Sequence, residues 1–193
     1  MGRKKVLTKC EIFEVTKNIL KEEGLHGVHF KNISEKLEVG RSTLYEYFSN
    51  KDDLLLAYMQ NLMKEMNDKV NGIEDDLPPN EKLYHLLLIL LEHSQLHQID
   101  QMIRDVQSSN KHAADFYREQ LHADLMHTYS LMTNWIEEAK DQRIWKTTID
   151  SSLIGDLMFH SILFPNRDRL GVETMARQLF EMIEKGMVNR SVN

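Results

Sequence analysis

The sequence predicts an all-α fold, and three observations carry that prediction. Apolar residues recur at helical offsets from end to end, no run alternates apolar with polar residues as a half-buried strand would, and the 3 prolines fall in only two loops. A chain of 193 residues, 41% hydrophobic and 28% charged, is long enough to bury a core without disulfides or a structural metal. With 8 Gly and 3 Pro it is neither a linker nor a collagenous chain, and its single cysteine, Cys10, forms no internal bridge, which fits a reducing compartment.

The first helix is read from Ile12, Phe13, Thr16, Ile19 and Leu20, which stack on one face while Glu11, Glu14, Lys17 and Lys21 occupy the other. Gly24, at the expected left-handed cap, ends it near Glu23. Lys31–Leu37, with Ile33 and Leu37 at i, i+4, is too short to stand alone and must pack on its neighbours. Glu38-Val39-Gly40 separates it from a second short helix, Arg41–Tyr47, followed at once by Phe48 at i+4 from Leu44.

Ser49-Asn50-Lys51-Asp52 reads as a capping box for a long helix whose stripe of Leu54, Leu55, Tyr58, Leu62, Met66 and Val70 runs to Asn71. Gly72 to Asn80 is the clearest loop, and Asn80 is the expected cap of a buried helix carrying Leu83, Leu86, Leu87, Leu90 and Leu91. Gln98–Ser109, Lys111–Lys140, Asp150–Phe164 and Asp168–Val188 complete about nine helices, with Phe164 stopping its helix because it precedes a proline.

No segment approaches the ~20 apolar residues of a membrane span. The longest run, Leu86–Leu91, lies between charged residues, and the basic start Met1–Lys5 precedes neither a long apolar region nor a cleavage site. The expectation is a cytoplasmic protein with no membrane partner. Glycine-rich phosphate loops, GxSxG elbows and CxxC pairs are lacking, so no enzyme is expected and no cofactor. His93 with His97 and His122 with His127 have spacings that occur in any histidine-rich helical chain, and they read as solvated side chains rather than metal ligands.

The formal charge of −6 is divided unevenly: residues 1–53 carry 10 Lys+Arg against 9 Asp+Glu, leaving 14 against 21 for residues 54–193. That asymmetry fits two lobes with different partners. Helix, three-residue turn, helix over Lys31 to Phe48 has the dimensions of a helix-turn-helix, whose second helix enters the major groove of DNA. Leu44 and Phe48 form the inner face of that second helix, whereas Arg41, Ser42, Thr43, Tyr45 and Tyr47 offer donors outside it. Arg41 suits bidentate contact with guanine, and the hydroxyls suit phosphates. Arg3, Lys4 and Lys5 read either as a minor-groove arm or as a solvated tail.

The run from Ile33 to Leu54, with Thr43-Leu44-Tyr45, Tyr47-Phe48, Lys51 and Leu54 at characteristic spacing, resembles the DNA-binding signature of TetR-family transcriptional regulators. The resemblance covers about a quarter of the chain. It implies that Tyr45, Tyr47 and Lys51 contact phosphates, that Lys31 approaches the backbone from the preceding helix, and that Gly40, Arg41, Ser42 and Thr43 face the bases. Two positions depart from the pattern. Glu38 stands where Gly is usual and must take φ > 0 or alter the turn, and Phe30 replaces a small hydroxyl residue, removing one phosphate contact.

The same resemblance implies a helix-turn-helix domain over residues 1–53 and an effector-binding and dimerisation domain over 54–193, and hence a homodimer on double-stranded DNA. The expected dimer residues are Leu153, Leu157, Ile162, Leu179 and Ile183, in helices with more apolar surface than one face needs. The 11 methionines are either core filler or the wall of an adaptable pocket for a small apolar or amphipathic effector. In the pocket reading, Met63, Met66, Met102, Phe116, Tyr117 and Trp135 line it. The function expected is a repressor released from a palindromic operator by that effector. The alternative is a helical small-molecule or metal-binding protein whose helix-turn-helix is degenerate, a reading that Glu38, Glu46 and the near-neutral first lobe favour.

Overall fold

The computed structural model describes residues 7–94, 111–164 and 169–187. Among them it contains eight α-helices and no strand. The expected helix Gln98–Ser109 lies outside the described residues. The described residues form two compact units that divide within two of the helices: residues 7–61 and 111–114 belong to the first, and residues 62–94, 115–164 and 169–187 to the second.

In the first unit, α1 (Lys9–Glu23) starts with a complete capping box, in which the Thr8 side chain accepts from the Glu11 amide at 3.2 Å and the Glu11 carboxylate accepts from the Thr8 amide at 2.9 Å. Its buried stripe is the one the periodicity predicts, and the hydroxyl of Thr16 is satisfied inside it by donating to the Ile12 carbonyl at 2.8 Å. Gly24 ends α1 with φ 70° and ψ −168°, a positive φ but not the left-handed helical conformation expected of it, because the chain opens directly into a 3-10 turn, Leu25–Gly27. Gly27 is confined by close approach: a Cβ there would lie 2.5 Å from the Glu23 Cβ.

Next come α2 (Phe30–Leu37) and α3 (Arg41–Tyr45). The left-handed residue of this unit is Glu38, at φ 57° and ψ 40°, where the amide of Val39 donates to the Ser34 carbonyl and that of Glu38 to Glu35, closing a Schellman motif on a residue with a side chain. The second short helix ends two residues earlier than predicted. Tyr47 N and Phe48 N both donate to the Leu44 carbonyl, which tightens the last turn before the chain swings toward the next helix.

That helix, α4, spans Lys51–Asn71. Its cap is Asn50 rather than Ser49: the Asn50 side-chain oxygen accepts from the Asp53 amide at 2.9 Å. Leu44 and Ile33 are fully buried, as are Leu54 and Met59 of α4, and the rings of Phe13, Phe48 and Tyr58 meet at centroid distances of 6.1 and 5.7 Å.

The second unit is built from the rest of α4, α5 (Pro79–Glu92), α6 (Lys111–Asp141), α7 (Ser151–His160), a 3-10 turn at Ser161–Leu163, and α8 (Val172–Met187). Pro78 and Pro79 open α5, so Asn80 is inside the helix instead of capping it, and its side chain donates to Glu184 on α8 at 3.3 Å. Proline suits the first helical position because its missing N–H has no partner there. Leu83, Leu86, Leu87, Leu90 and Leu91 are buried, and α5 packs against α8 and α7. The helix predicted over Asp150–Phe164 is capped by the Asp150 carboxylate on the Ser152 amide, and its last turn is 3-10, with Phe164 extended ahead of Pro165. The final helix starts at Val172 rather than Asp168, which lies outside the described residues. No helix among the described residues is long and apolar enough to cross a membrane.

Candidate functional site

Burying Leu44 fixes the orientation of α3. With that side chain at no exposure, Arg41, Ser42 and Tyr45 point to solvent and Thr43 is half-buried, so one polar surface is presented by a helix anchored on its opposite side. Gly40 precedes it in extended conformation and accepts at its carbonyl from the Thr43 amide at 3.0 Å. Tyr45 is 60% exposed, and its ring stands edge-on to Phe30 at 4.9 Å between centroids. The Phe30 position therefore props the tyrosine, a role that the sequence comparison with a small hydroxyl residue did not suggest.

The other expected contact residues have partners already. Lys31, exposed on α2, lies 4.0 Å from the Glu35 carboxylate. Lys51 donates to the Leu25 carbonyl at 2.8 Å across the first unit, and burial pushes its amine below the usual lysine range. The Tyr47 hydroxyl donates to the Leu7 carbonyl in a short hydrogen bond. Leu7 is a partner that periodicity alone does not show, since it precedes the first helix and pairs with a residue 40 positions away. Lys36 is held between Glu22 and Glu23 at 3.0 and 3.7 Å, and the hydrogen bond that its amine donates to Glu22 raises its pKa.

In the second unit, Met63 and Met66 on α4 are buried, and Trp135 on α6 is half-buried with the Lys82 amine 5.9 Å from its ring centre. Met102 and the side chains of Phe116 and Tyr117 lie outside the described residues. The expected dimer residues fall on α7, the following 3-10 turn and α8. Leu153 and Leu157 are 60% and 47% exposed, Ile162 and Leu179 are half-buried, and Ile183 is buried. Between these elements is an apolar groove of about 200 Å³, lined by Leu157, Phe164, Leu179, Met182 and Ile183, with Met182 itself 70% exposed. Among the described residues no three His, Cys, Asp or Glu side chains come together as a metal site; His122 and His127 are exposed, and His97 is outside the described residues.

A family model described as bacterial regulatory proteins, tetR family, matches residues 12–58, the span from α1 into α4 that builds this surface. The HTH-type transcriptional regulator PksA of Bacillus subtilis (strain 168) is 25% identical over 180 residues, covering 83% of this chain and 82% of that protein. Among solved structures, the ketosteroid transcriptional regulator KstR2 of Mycobacterium tuberculosis has a TM-score of 0.73 at 12% identity, with 96% of this chain and 98% of that one covered. The TetR family transcriptional regulator PfmR from Thermus thermophilus has a TM-score of 0.71 at 15% identity, over 92% and 99% of the two chains. Both structural matches extend the likeness in fold well beyond the N-terminal unit.

Proposed function

We propose that the chain is a regulator of the TetR/AcrR type, a homodimeric repressor released from a palindromic operator by a small apolar or amphipathic effector, a reading supported by the match of residues 12–58 to the tetR family model and by the relatives that share it. Residues 1–53 form the DNA-binding domain and residues 54–193 the effector-binding and dimerisation domain of a protein acting in the cytoplasm, where its DNA is.

The observation that carries this reading is the surface of α3, with Arg41, Ser42 and Tyr45 outward over a fully buried Leu44. One such helix touches few base pairs, so a two-fold pair reading successive major grooves gives the specificity a single operator requires. The exposed apolar side chains of α7 and α8 support pairing through that face. Effector binding in the second domain acts by favouring a dimer geometry in which the two α3 helices no longer match the groove spacing, and only a difference in effector affinity between the two geometries drives this.

Selection of duplexes from a random pool with the purified chain tests the reading. A palindromic consensus with half-sites about one helical turn apart is expected. Arg41→Ala should relax preference at one base position in each half-site, losing about 1–3 kcal/mol of discrimination there. Sequence-blind enrichment would return the chain to the class of helical ligand-binding proteins with a degenerate helix-turn-helix.

A further inference from the structure

Lys82 is withdrawn from water without an anion to face. Lysine ordinarily lays its stem along apolar surface and leaves its amine in solvent, and it is seldom buried unpaired. In the second unit Lys69, Lys140 and Lys185 are all more exposed, yet each finds an oxygen: Lys69 on Glu92, Lys140 on the Ile149 carbonyl and the Ser151 hydroxyl, Lys185 on Glu181. Lys82, in the first turn of α5, is 9% exposed, and its amine has no oxygen acceptor among the described residues. What it faces is the ring of Trp135 on α6, 5.9 Å from its centre.

An aromatic face offsets only part of the cost of taking an ammonium out of water, and the N–H bonds still need acceptors. The carboxylates nearest along these helices do not supply one. Glu184 on α8 accepts from Asn80, two residues before Lys82, and Glu81 is exposed on a neighbouring position whose side chain does not share the Lys82 face. The rest of the surroundings are apolar: Leu86, one turn on in α5, is fully buried, as are Met132 and Ala139, one turn to either side of Trp135. Trp135 itself is only half-buried, so the indole is open to solvent. One unneutralised positive charge therefore stands at the head of an aromatic and apolar surface.

We propose that Lys82 is the counter-ion for the effector's head group, and that the effector is an organic monocarboxylate whose apolar body lies against Trp135. The inference rests on the effector-binding reading above and names the ligand chemistry of that domain. One ammonium neutralises one negative charge, which favours a carboxylate over a phosphate dianion. Charge-assisted N–H···O bonds to the carboxylate replace the water that burial removed, and the indole face accepts the carbons next to the charge. A neutral amphipath of the same length leaves the ammonium unpaired and binds less tightly.

The experiment is isothermal titration calorimetry on the full chain without DNA, comparing hexanoate, octanoate and decanoate with the primary alcohols of the same chain lengths, each below its micelle concentration, for wild type and Lys82→Met. Wild type should bind at least one acid about tenfold or more tighter than the matching alcohol, the ratio expected of a charge-assisted hydrogen bond. Lys82→Met, which keeps an unbranched apolar stem, should bind acid and alcohol alike. Without ligand the variant should melt at or above the wild-type temperature, because an uncompensated charge has been removed. The preferred acid should raise the melting temperature of wild type and leave that of the variant unchanged.

Equal affinity of wild type for acid and alcohol, or no binding of any acid, would overturn the proposal, as would an acid preference that survives in Lys82→Met. A variant that melts well below wild type, or does not fold, would overturn it in favour of a structural contact between the ammonium and Trp135. Duplex selection is read separately from these titrations. A palindromic consensus from a chain that binds no acid would sink the head-group assignment and leave the repressor reading standing, whereas acid binding through Lys82 without any selected sequence would sustain the site and remove the repressor.

Discussion

The amine of Lys51 donates to the carbonyl of Leu25 at 2.8 Å, tying the first residue of α4 to the 3-10 turn that follows α1. A charged donor closing a loop 26 residues away in sequence has a structural part independent of DNA. Lys51→Met, which keeps the stem and removes the donor, should lower the unfolding free energy by about 1 kcal/mol in denaturant titrations, less than a fully buried charge-assisted bond because the group is partly exposed. The same variant should weaken DNA binding on every sequence alike. Unchanged stability would mean that the amine is free to serve phosphates alone.

Glu38 gives a prediction of opposite sign. Its left-handed conformation, φ 57°, is disfavoured for any residue with a Cβ, and its carboxylate is exposed in the turn before α3. Glu38→Gly should raise stability by about 1 kcal/mol, since the Schellman geometry is kept and the steric penalty is removed. It should also tighten DNA binding and shift the salt dependence upward, because one repelling charge is gone. A destabilised Glu38→Gly would show that the side chain makes a compensating contact.

The first helix, the buried leucine helix and the placement of Leu44 and Phe48 were legible because each depends on local periodicity: a 3.6-residue repeat puts Ile12, Thr16 and Ile19 on one side whatever lies opposite. Cap positions were less so. Ser49 and Asn50 are both competent caps with similar preference, so the sequence alone does not choose between them, and the structure uses the second. The start of α5 did carry a local signal, since proline favours the first helical position, but the capping preference of Asn80 competes with it and the structure resolves the two in favour of Pro79. The Leu7–Tyr47 and Lys51–Leu25 bonds, which engage two of the expected DNA contacts, join residues 40 and 26 apart and carry no periodic signal.

His93, at the end of α5, is 7% exposed and its Nδ1–H donates to the Ile89 carbonyl at 2.8 Å, which fixes the tautomer. Burial holds its pKa below the ordinary histidine value, with a smaller push in the same direction from Lys69, against the Ile89 bond and the charges of Glu92 and Glu65. In the window below about pH 6.5 the unfolded chain therefore binds more protons at this site than the folded one, and stability falls as acid is added. His93→Gln should lose less of its melting temperature than wild type between about pH 7.5 and about pH 5.5, as read by differential scanning calorimetry. An equal decline in both proteins would assign the acid sensitivity to other groups.

The apolar face of α7 and α8 can be tested without DNA. Leu157 is 47% exposed and lines the groove between these helices, so Leu157→Glu should leave the subunit folded while shifting light-scattering mass from dimer to monomer. Operator affinity should fall with it, because half a palindrome is then bound at a time. A dimer that persists in this variant would place the pairing surface elsewhere.

Trp135 and Trp145 are the chain's 2 tryptophans and both belong to the second unit, where Trp145 is 1% exposed, its indole N–H without a hydrogen-bond partner among the described residues and its ring 6.3 Å from that of Phe180. Indole emission is consequently a private spectroscopic channel for one half of the molecule. Titrants that quench or redshift it report on that half, while circular dichroism follows the helices of both, so a two-stage melt would show, without any added label, as emission and ellipticity changes that do not coincide.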